Sequence, residues 1–167
     1  MAGCSHKELE EGRELHLDWG KLRKAVQCEE LVIPVAVQHA DTLEVLIVAF
    51  ANEKALVEAF RQKVCVLWST SRNELWIKGA TSGDVLDLVE VRVNCEQNSL
   101  LYLVRPRRTG ACHTKGPDGI TRPSCYYRRL RYIGGDGADA SADQFVVLEH
   151  LGDESASGGT GETPDDS

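Results

Sequence analysis

The sequence predicts an α+β fold: a mostly antiparallel sheet with two helices in one compact domain. Three observations carry this expectation. Short apolar, β-branched runs recur along the chain, joined by brief polar or Gly-containing segments. Two stretches space their apolar residues at helical intervals. The run VLDLVEVRVN at 85–94 alternates as a half-buried strand does.

Leu17 to Glu29 reads as the first helix, with Asp18 as N-cap and Leu22, Ala25 and Val26 on one face. LVIPVAVQ (31–38) and LEVLIVAF (43–50) read as strands, and the intervening HADT suits a hairpin connection. Asn52 suits the cap of a second helix running through Gln62, with Ala55, Leu56, Ala59 and Phe60 facing inward. VCVLWS (64–69) and ELWIKG (74–79) form the next strand pair around SRN. In 85–94, Val85, Leu86, Leu88, Val89, Val91 and Val93 supply the apolar positions, and SLLYLVR (99–105) is the partner strand. YYRRLRYI (126–133) and QFVVLEHL (144–151) are weaker strands.

This divides the chain into a polar N-terminal arm (1–16), a domain carrying the candidate site (17–133), a loop with a C-terminal strand (134–151) and an acidic tail (152–167). The segment 134–143 reads as a flexible loop, and the tail is expected to be disordered because it offers little apolar surface to bury. No apolar run approaches the roughly 20 residues that span a bilayer, and the N-terminus lacks a secretory signal. A soluble, cytoplasmic protein with no membrane partner is expected. The net charge of −7 is unevenly spread: residues 134–167 hold nine acidic and no basic residues. Within 105–131, Arg105, Arg107, Arg108, Lys115, Arg122, Arg128, Arg129 and Arg131 stand against only Asp118. Such a cluster suits either an anionic ligand or a solvated basic loop.

Six cysteines sit at 4, 28, 65, 95, 112 and 125. Thiols in a reducing compartment are buried, metal-binding or catalytic more often than paired. Cys28 and Cys65 lie in apolar settings and read as small buried hydrophobes; Cys4 falls in a loose terminus. Cys95, Cys112 and Cys125 end apolar strands or sit in polar loops, where thiolates suit zinc. Their spacings of 17 and 13 match no finger or ribbon, so spacing alone also admits three unrelated thiols. His113, by itself, reads more readily as a structural histidine than as a catalytic one.

Four stretches change that balance: IPVAVQHADTLEVLIVAFANEKAL, WSTSRNELWIKGATSGD, VEVRVNCEQNSLLYLV and GACHTKGPDGITRPSCYYR. The most specific motifs in them are Trp68-Ser69 with Ser71-Arg72, Leu75-Trp76, Lys78-Gly79 with Thr81-Ser82-Gly83, Ala111-Cys112-His113-Thr114 and Ser124-Cys125-Tyr126-Tyr127. In this order they resemble the phosphoribosyl-AMP cyclohydrolases of histidine biosynthesis, over well more than half the chain. The resemblance implies a homodimer whose zinc is held by three cysteines from two subunits, matching Cys95, Cys112 and Cys125, with His113 in catalysis. It implies hydrolysis of the N1–C6 bond of the purine ring in N1-(5-phosphoribosyl)-AMP. Trp68, Ser69, Arg72, Lys78, Thr81, Ser82 and Gly83 are then the candidate substrate-binding residues, with Lys78 and Arg72 suited to phosphate.

Two departures stand out. The family's magnesium run of alternating aspartates corresponds to Asn94, Cys95, Glu96, Gln97 and Asn98 here. Asn94, Glu96 and Asn98 would make a weaker magnesium site, because this ion prefers charged oxygen ligands. The link from Cys112 to Cys125 is longer than the family's, and its Pro117-Asp118-Gly119 suits an exposed turn. These departures keep open a zinc hydrolase or deaminase of another phosphorylated purine-like nucleotide, although the H-x-E and P-C-x-x-C deaminase signature is absent. A non-catalytic zinc-stabilised module binding RNA or another polyanion through 105–131 is the third reading. Nucleic acid is not the expected partner, and the chain is expected to be monofunctional.

Overall fold

The computed structural model describes residues 5–17, 19, 22, 25, 27, 30–134 and 142–151. They fall into two compact units, one comprising 17–126 and the other 1–16 with 127–167.

The larger unit is a six-stranded sheet in the order β4-β3-β2-β1-β6-β5. Its strands are β1 (Ile33–His39), β2 (Val45–Ala51), β3 (Val66–Ser69), β4 (Glu74–Ile77), β5 (Leu86–Val93) and β6 (Leu100–Pro106). Neighbours pair antiparallel except β1 and β6, which run parallel with Val35 opposite Leu100 and His39 opposite Val104. The sheet curls: Val64 bridges to Asp87, the Cys65 amide donates to the Leu86 carbonyl at 2.9 Å, and the Leu88 amide donates to the Lys63 carbonyl at 3.0 Å. Val35, Val37, Leu46, Leu67, Leu86, Tyr102 and Val104 form the buried centre. Cys65 belongs to it, fully buried, as expected of a small hydrophobe.

One helix, Glu53–Gln62, covers this core. It begins where Asn52 breaks the strand, and the Asn52 side-chain oxygen accepts from the Ala55 amide at 2.8 Å. Ala55 and Ala59, one turn apart, are fully buried, and Leu56 is partly buried. Phe60 corrects the sequence reading: it is 56% exposed. The buried stripe is carried by two alanines, and the position after Ala59 is turned about 100° away from it.

The expected strands in this unit are all present. β5 departs from simple alternation: its register skips Val89, with Leu88 opposite Val104 and Glu90 opposite Leu103. This bulge returns Val91 to the core side, opposite buried Tyr102, and leaves Val89 and Val93 exposed. The helix expected over 17–29 lies mostly outside the described residues; within it Leu22 and Ala25 are helical, Ala25 buried and Leu22 exposed. The expected flexible loop lies largely outside the described residues, and the acidic tail lies wholly outside them, as do Cys4 and Cys28.

The smaller unit pairs β7 (Arg128–Tyr132) with β8 (Val146–His150), antiparallel, with Arg128 opposite His150. A short helix, His6–Glu11, occupies what the sequence presents as a polar arm. Ser5 and Glu8 form a capping box, and the carbonyls of Leu9, Glu10 and Gly12 at its far end accept from Arg128 and Tyr127.

Replacing Asn52 with Ala removes the cap of the core helix. The expected cost is about 1 kcal/mol, a fall in melting temperature of about 3 °C. Thermal unfolding followed by circular dichroism measures it.

Candidate active site

The site is built where the loop after β6 folds back on itself. The amides of Ala111 and Cys112 both donate to the Arg122 carbonyl, at 3.2 and 3.1 Å, and the Arg122 amide donates to the Thr114 carbonyl at 3.1 Å. Gly110 permits the approach: a Cβ there would stand 2.4 Å from the Arg122 carbonyl oxygen. Ser124 fixes the returning segment by donating to the Val45 carbonyl at 2.8 Å, and the Cys125 amide donates to the Leu46 carbonyl at 2.9 Å. Two cysteines thirteen residues apart in sequence thereby become neighbours. The extra residues between them are ordered as a small hairpin, with Lys115 bridged to Thr121 and the Gly116 amide donating to the Ile120 carbonyl. Thr121 donates to buried Asp84 at 3.4 Å.

The two thiols are electronically unequal. Cys125 donates a hydrogen bond to the Cys112 sulfur, and Thr114 adds a second contact at 3.1 Å. These donors pull the Cys112 thiol down to about 5, against the opposing effect of burial. The same hydrogen bond, with burial, holds the Cys125 thiol in its protonated form. Cys65, deeper in the core, is pushed up to about 12 by burial and is inert. His113, next to Cys112, is exposed.

Cys95 stands elsewhere. It is exposed in the turn between β5 and β6, at the opposite end of β6 from Cys112. Among the described residues no three His, Cys, Asp or Glu side chains converge on a metal position. One chain thus presents two of the three expected thiols together.

The turn around Cys95 is held by side chains. The Asn94 oxygen accepts from the amides of Asn98 and Ser99, both at 3.0 Å. The Asn94 amide nitrogen donates to the Asn98 oxygen at 2.8 Å, and the Asn98 nitrogen donates to Glu96 at 3.0 Å. Three carboxylates in these positions would repel one another; amides donate instead.

The seven candidate substrate residues separate into two groups. Trp68, Ser69 and Arg72 lie at the tip of the β3–β4 hairpin, where Ser69 accepts from the Arg72 amide at 3.4 Å and the Arg72 guanidinium pairs with Glu74 at 2.9 Å. Trp68 is buried and its indole nitrogen has no partner among the described residues. Lys78, Thr81, Ser82 and Gly83 follow the other end of β4. Lys78 is 3% exposed, with its ammonium 5.7 Å from the centre of the Trp76 ring, and its charge is felt at both Cys65 and Cys125.

Four of the cations in the basic segment form ion pairs. Arg105 forms a bidentate pair with Asp41, Arg107 pairs with Asp87, and Arg129 and Arg131 share Glu149. Arg122 is buried and Arg128 binds backbone carbonyls. Sequence reasoning gave no role to Thr114, although its place two residues after Cys112 is a readable signal, or to Ser124, whose anchoring partner is far away in sequence.

The family model for phosphoribosyl-AMP cyclohydrolase matches residues 47–127, which include all three candidate cysteines and His113. The chain is 48% identical over 101 residues to the phosphoribosyl-AMP cyclohydrolase of Caulobacter vibrioides, covering 60% of this chain and 68% of that one. It is 44% identical over 102 residues to that of Archaeoglobus fulgidus, covering 61% of this chain and 88% of the relative. It is also 40% identical over 102 residues to the histidine biosynthesis bifunctional protein HisIE of Aquifex aeolicus, covering 61% and 47%. A shared stretch of this identity and coverage, running through the folded-back cysteine loop, makes the chain a member of the phosphoribosyl-AMP cyclohydrolase family of enzymes.

Proposed function

We propose that this enzyme opens the purine ring of N1-(5-phosphoribosyl)-AMP by hydrolysing its N1–C6 bond, a step of histidine biosynthesis. The family match supports the reaction. The observation that carries the chemistry is the Cys112–Cys125 pair, drawn together beside exposed His113.

The donor set fits zinc if a second copy of the chain completes it. Cys112, its thiol lowered by neighbouring donors, and Cys125, in hydrogen-bond contact with it, present two sulfur ligands side by side. Cys95 is exposed and too far along the sheet to join them, so it is free to serve the partner subunit's pair. In this reading a homodimer holds two zinc ions, each by Cys112 and Cys125 of one subunit and the partner subunit's Cys95. Three thiolates leave the open position that a catalytic zinc uses, and bound zinc makes water a nucleophile at neutral pH.

The chain's own groups manage protons and charge. Attachment of a ribose to N1 makes C6 electrophilic. His113 takes a proton from the water that adds to C6 and returns it to N1 as the ring bond breaks. The net change is addition of one water. Lys78, buried and without a carboxylate partner among the described residues, places its charge near Cys125 and is suited to substrate phosphate. Thr81, Ser82 and Gly83 supply hydroxyl and backbone donors. Magnesium contributes weakly, because Asn94, Glu96 and Asn98 satisfy one another without a cation.

Zinc analysis and ring-opening assays of the purified protein test the reading together. Cys112→Ser should lose zinc and activity, whereas His113→Ala should keep zinc and slow turnover by roughly 10²–10⁴-fold. Mixing Cys95→Ser with Cys112→Ser should restore about a quarter of wild-type activity, the share of intact sites after random dimer exchange. Full zinc in the cysteine variants contradicts the ligand set.

A second measurement concerns magnesium. Converting Asn94 and Asn98 to Asp replaces an N–H···O contact with carboxylate repulsion that a cation relieves. Titration calorimetry should show the double variant binding magnesium more tightly than the native chain; equal affinities would contradict the assignment.

A further inference from the structure

A cleft of about 190 Å³ opens beside the cysteine pair. Gly110 and Pro123 line it, immediately before Ala111-Cys112 and Ser124-Cys125, and so does Leu46, whose carbonyl accepts from the Cys125 amide at 2.9 Å. Its polar walls include His39 and Glu44, which flank the turn between β1 and β2, and Arg108, from the loop after β6.

Arg108 and Glu44 are exposed, and His39 is half-buried. Arg105 and Arg107 are taken up by Asp41 and Asp87, but Arg108 has no carboxylate partner among the described residues. Its one contact is marginal, to the Ser82 carbonyl at 3.5 Å. The guanidinium lies close against Gly83: a Cβ there would stand 2.6 Å from Nη1 and would displace it. His39 Nδ1 accepts from the amides of Asp41 and Thr42, at 3.1 and 3.3 Å, which leaves the neutral ring's proton on Nε2 as a donor. The Glu44 carboxylate has no ion-pair partner among the described residues. Leu46, Pro106 and Pro123 supply an apolar wall.

A guanidinium with an imidazole donor suits a phosphate. A carboxylate in the same cleft disfavours a bare anion but accepts the paired hydroxyls of a ribose. The volume is below the roughly 300 Å³ at which small-molecule pockets begin, so the cleft takes part of the substrate and not the whole. We propose that it seats a phosphoribosyl arm of the substrate, with Arg108 and His39 on the phosphate and Glu44 on the ribose hydroxyls. The assignment rests on the function proposed above and adds three substrate-binding residues to it.

Ribose 5-phosphate is the probe, titrated into the full-length protein by calorimetry, with inorganic phosphate as the second arm. The native protein should bind ribose 5-phosphate. Arg108→Ala should weaken that binding about tenfold or more, the scale of a lost charge-assisted contact, and Arg108→Lys should fall between. Glu44→Gln should weaken ribose 5-phosphate binding while leaving inorganic phosphate unchanged or tighter. In the ring-opening assay, Arg108→Ala should raise KM in proportion and leave kcat within about threefold. Circular dichroism confirms folding of each variant, whose altered side chain is exposed. No binding of ribose 5-phosphate by the native protein, or native affinity in Arg108→Ala or Glu44→Gln, overturns the subsite. Binding that depends on Arg108 in a protein without ring-opening activity would instead sustain the subsite and remove the proposed function.

Discussion

Strand β6 sets the layout of this protein. It lies inside the sheet, parallel to β1 on one side and antiparallel to β5 on the other, and its seven residues extend about 20 Å. The turn that carries Cys95 enters it, and the loop that carries Cys112 leaves it. A stiff central strand cannot bring its own two ends together. In the proposed assembly the thiol from the far end is supplied by another chain, which links the fold to that proposal.

The loop leaving β6 solves a different problem. Cys112 and Cys125 are joined by a long link, and a flexible link would leave them apart. Backbone pairing between 111–114 and 122–123, close approach at Gly110, and the Ser124 anchor to β2 convert the link into a short ribbon. The surplus residues are then expelled as a hairpin, tied through Thr121 to Asp84 in the loop that follows β4. The hairpin lies between the two cysteines in sequence, while backbone pairing on either side of it holds them together.

Much of the sheet was legible because its signal is local. Apolar runs, the Asn52 cap and the HADT turn each announce themselves within a few residues. Phe60 misled because a helix packed through alanines buries a narrower stripe than its apolar residues suggest. The bulge at Val89 was hidden because Leu88 and Val89 are both apolar and either fits alternation. The helix at 6–11 carried its own signature in Ser5 and Glu8, though its surroundings are polar. The ion pairs of the basic segment were hidden for a physical reason: Asp41, Asp87 and Glu149, which pair with four of its arginines, are distant in sequence. The candidate cysteines could be singled out only through the family motifs, since their spacing corresponds to no local metal-binding pattern. The cleft of His39, Glu44 and Arg108 was invisible for the same reason as the ion pairs, because it is assembled by sheet pairing.

The account stands or falls on whether the metal centre is shared between chains. Native mass spectrometry of the zinc-loaded protein across a dilution series reads this directly. The account predicts dimers carrying two zinc ions, and monomers released on dilution that carry none. Monomers retaining one tightly held zinc each would contradict it, because they would require Cys95 to reach Cys112 and Cys125 within a single chain.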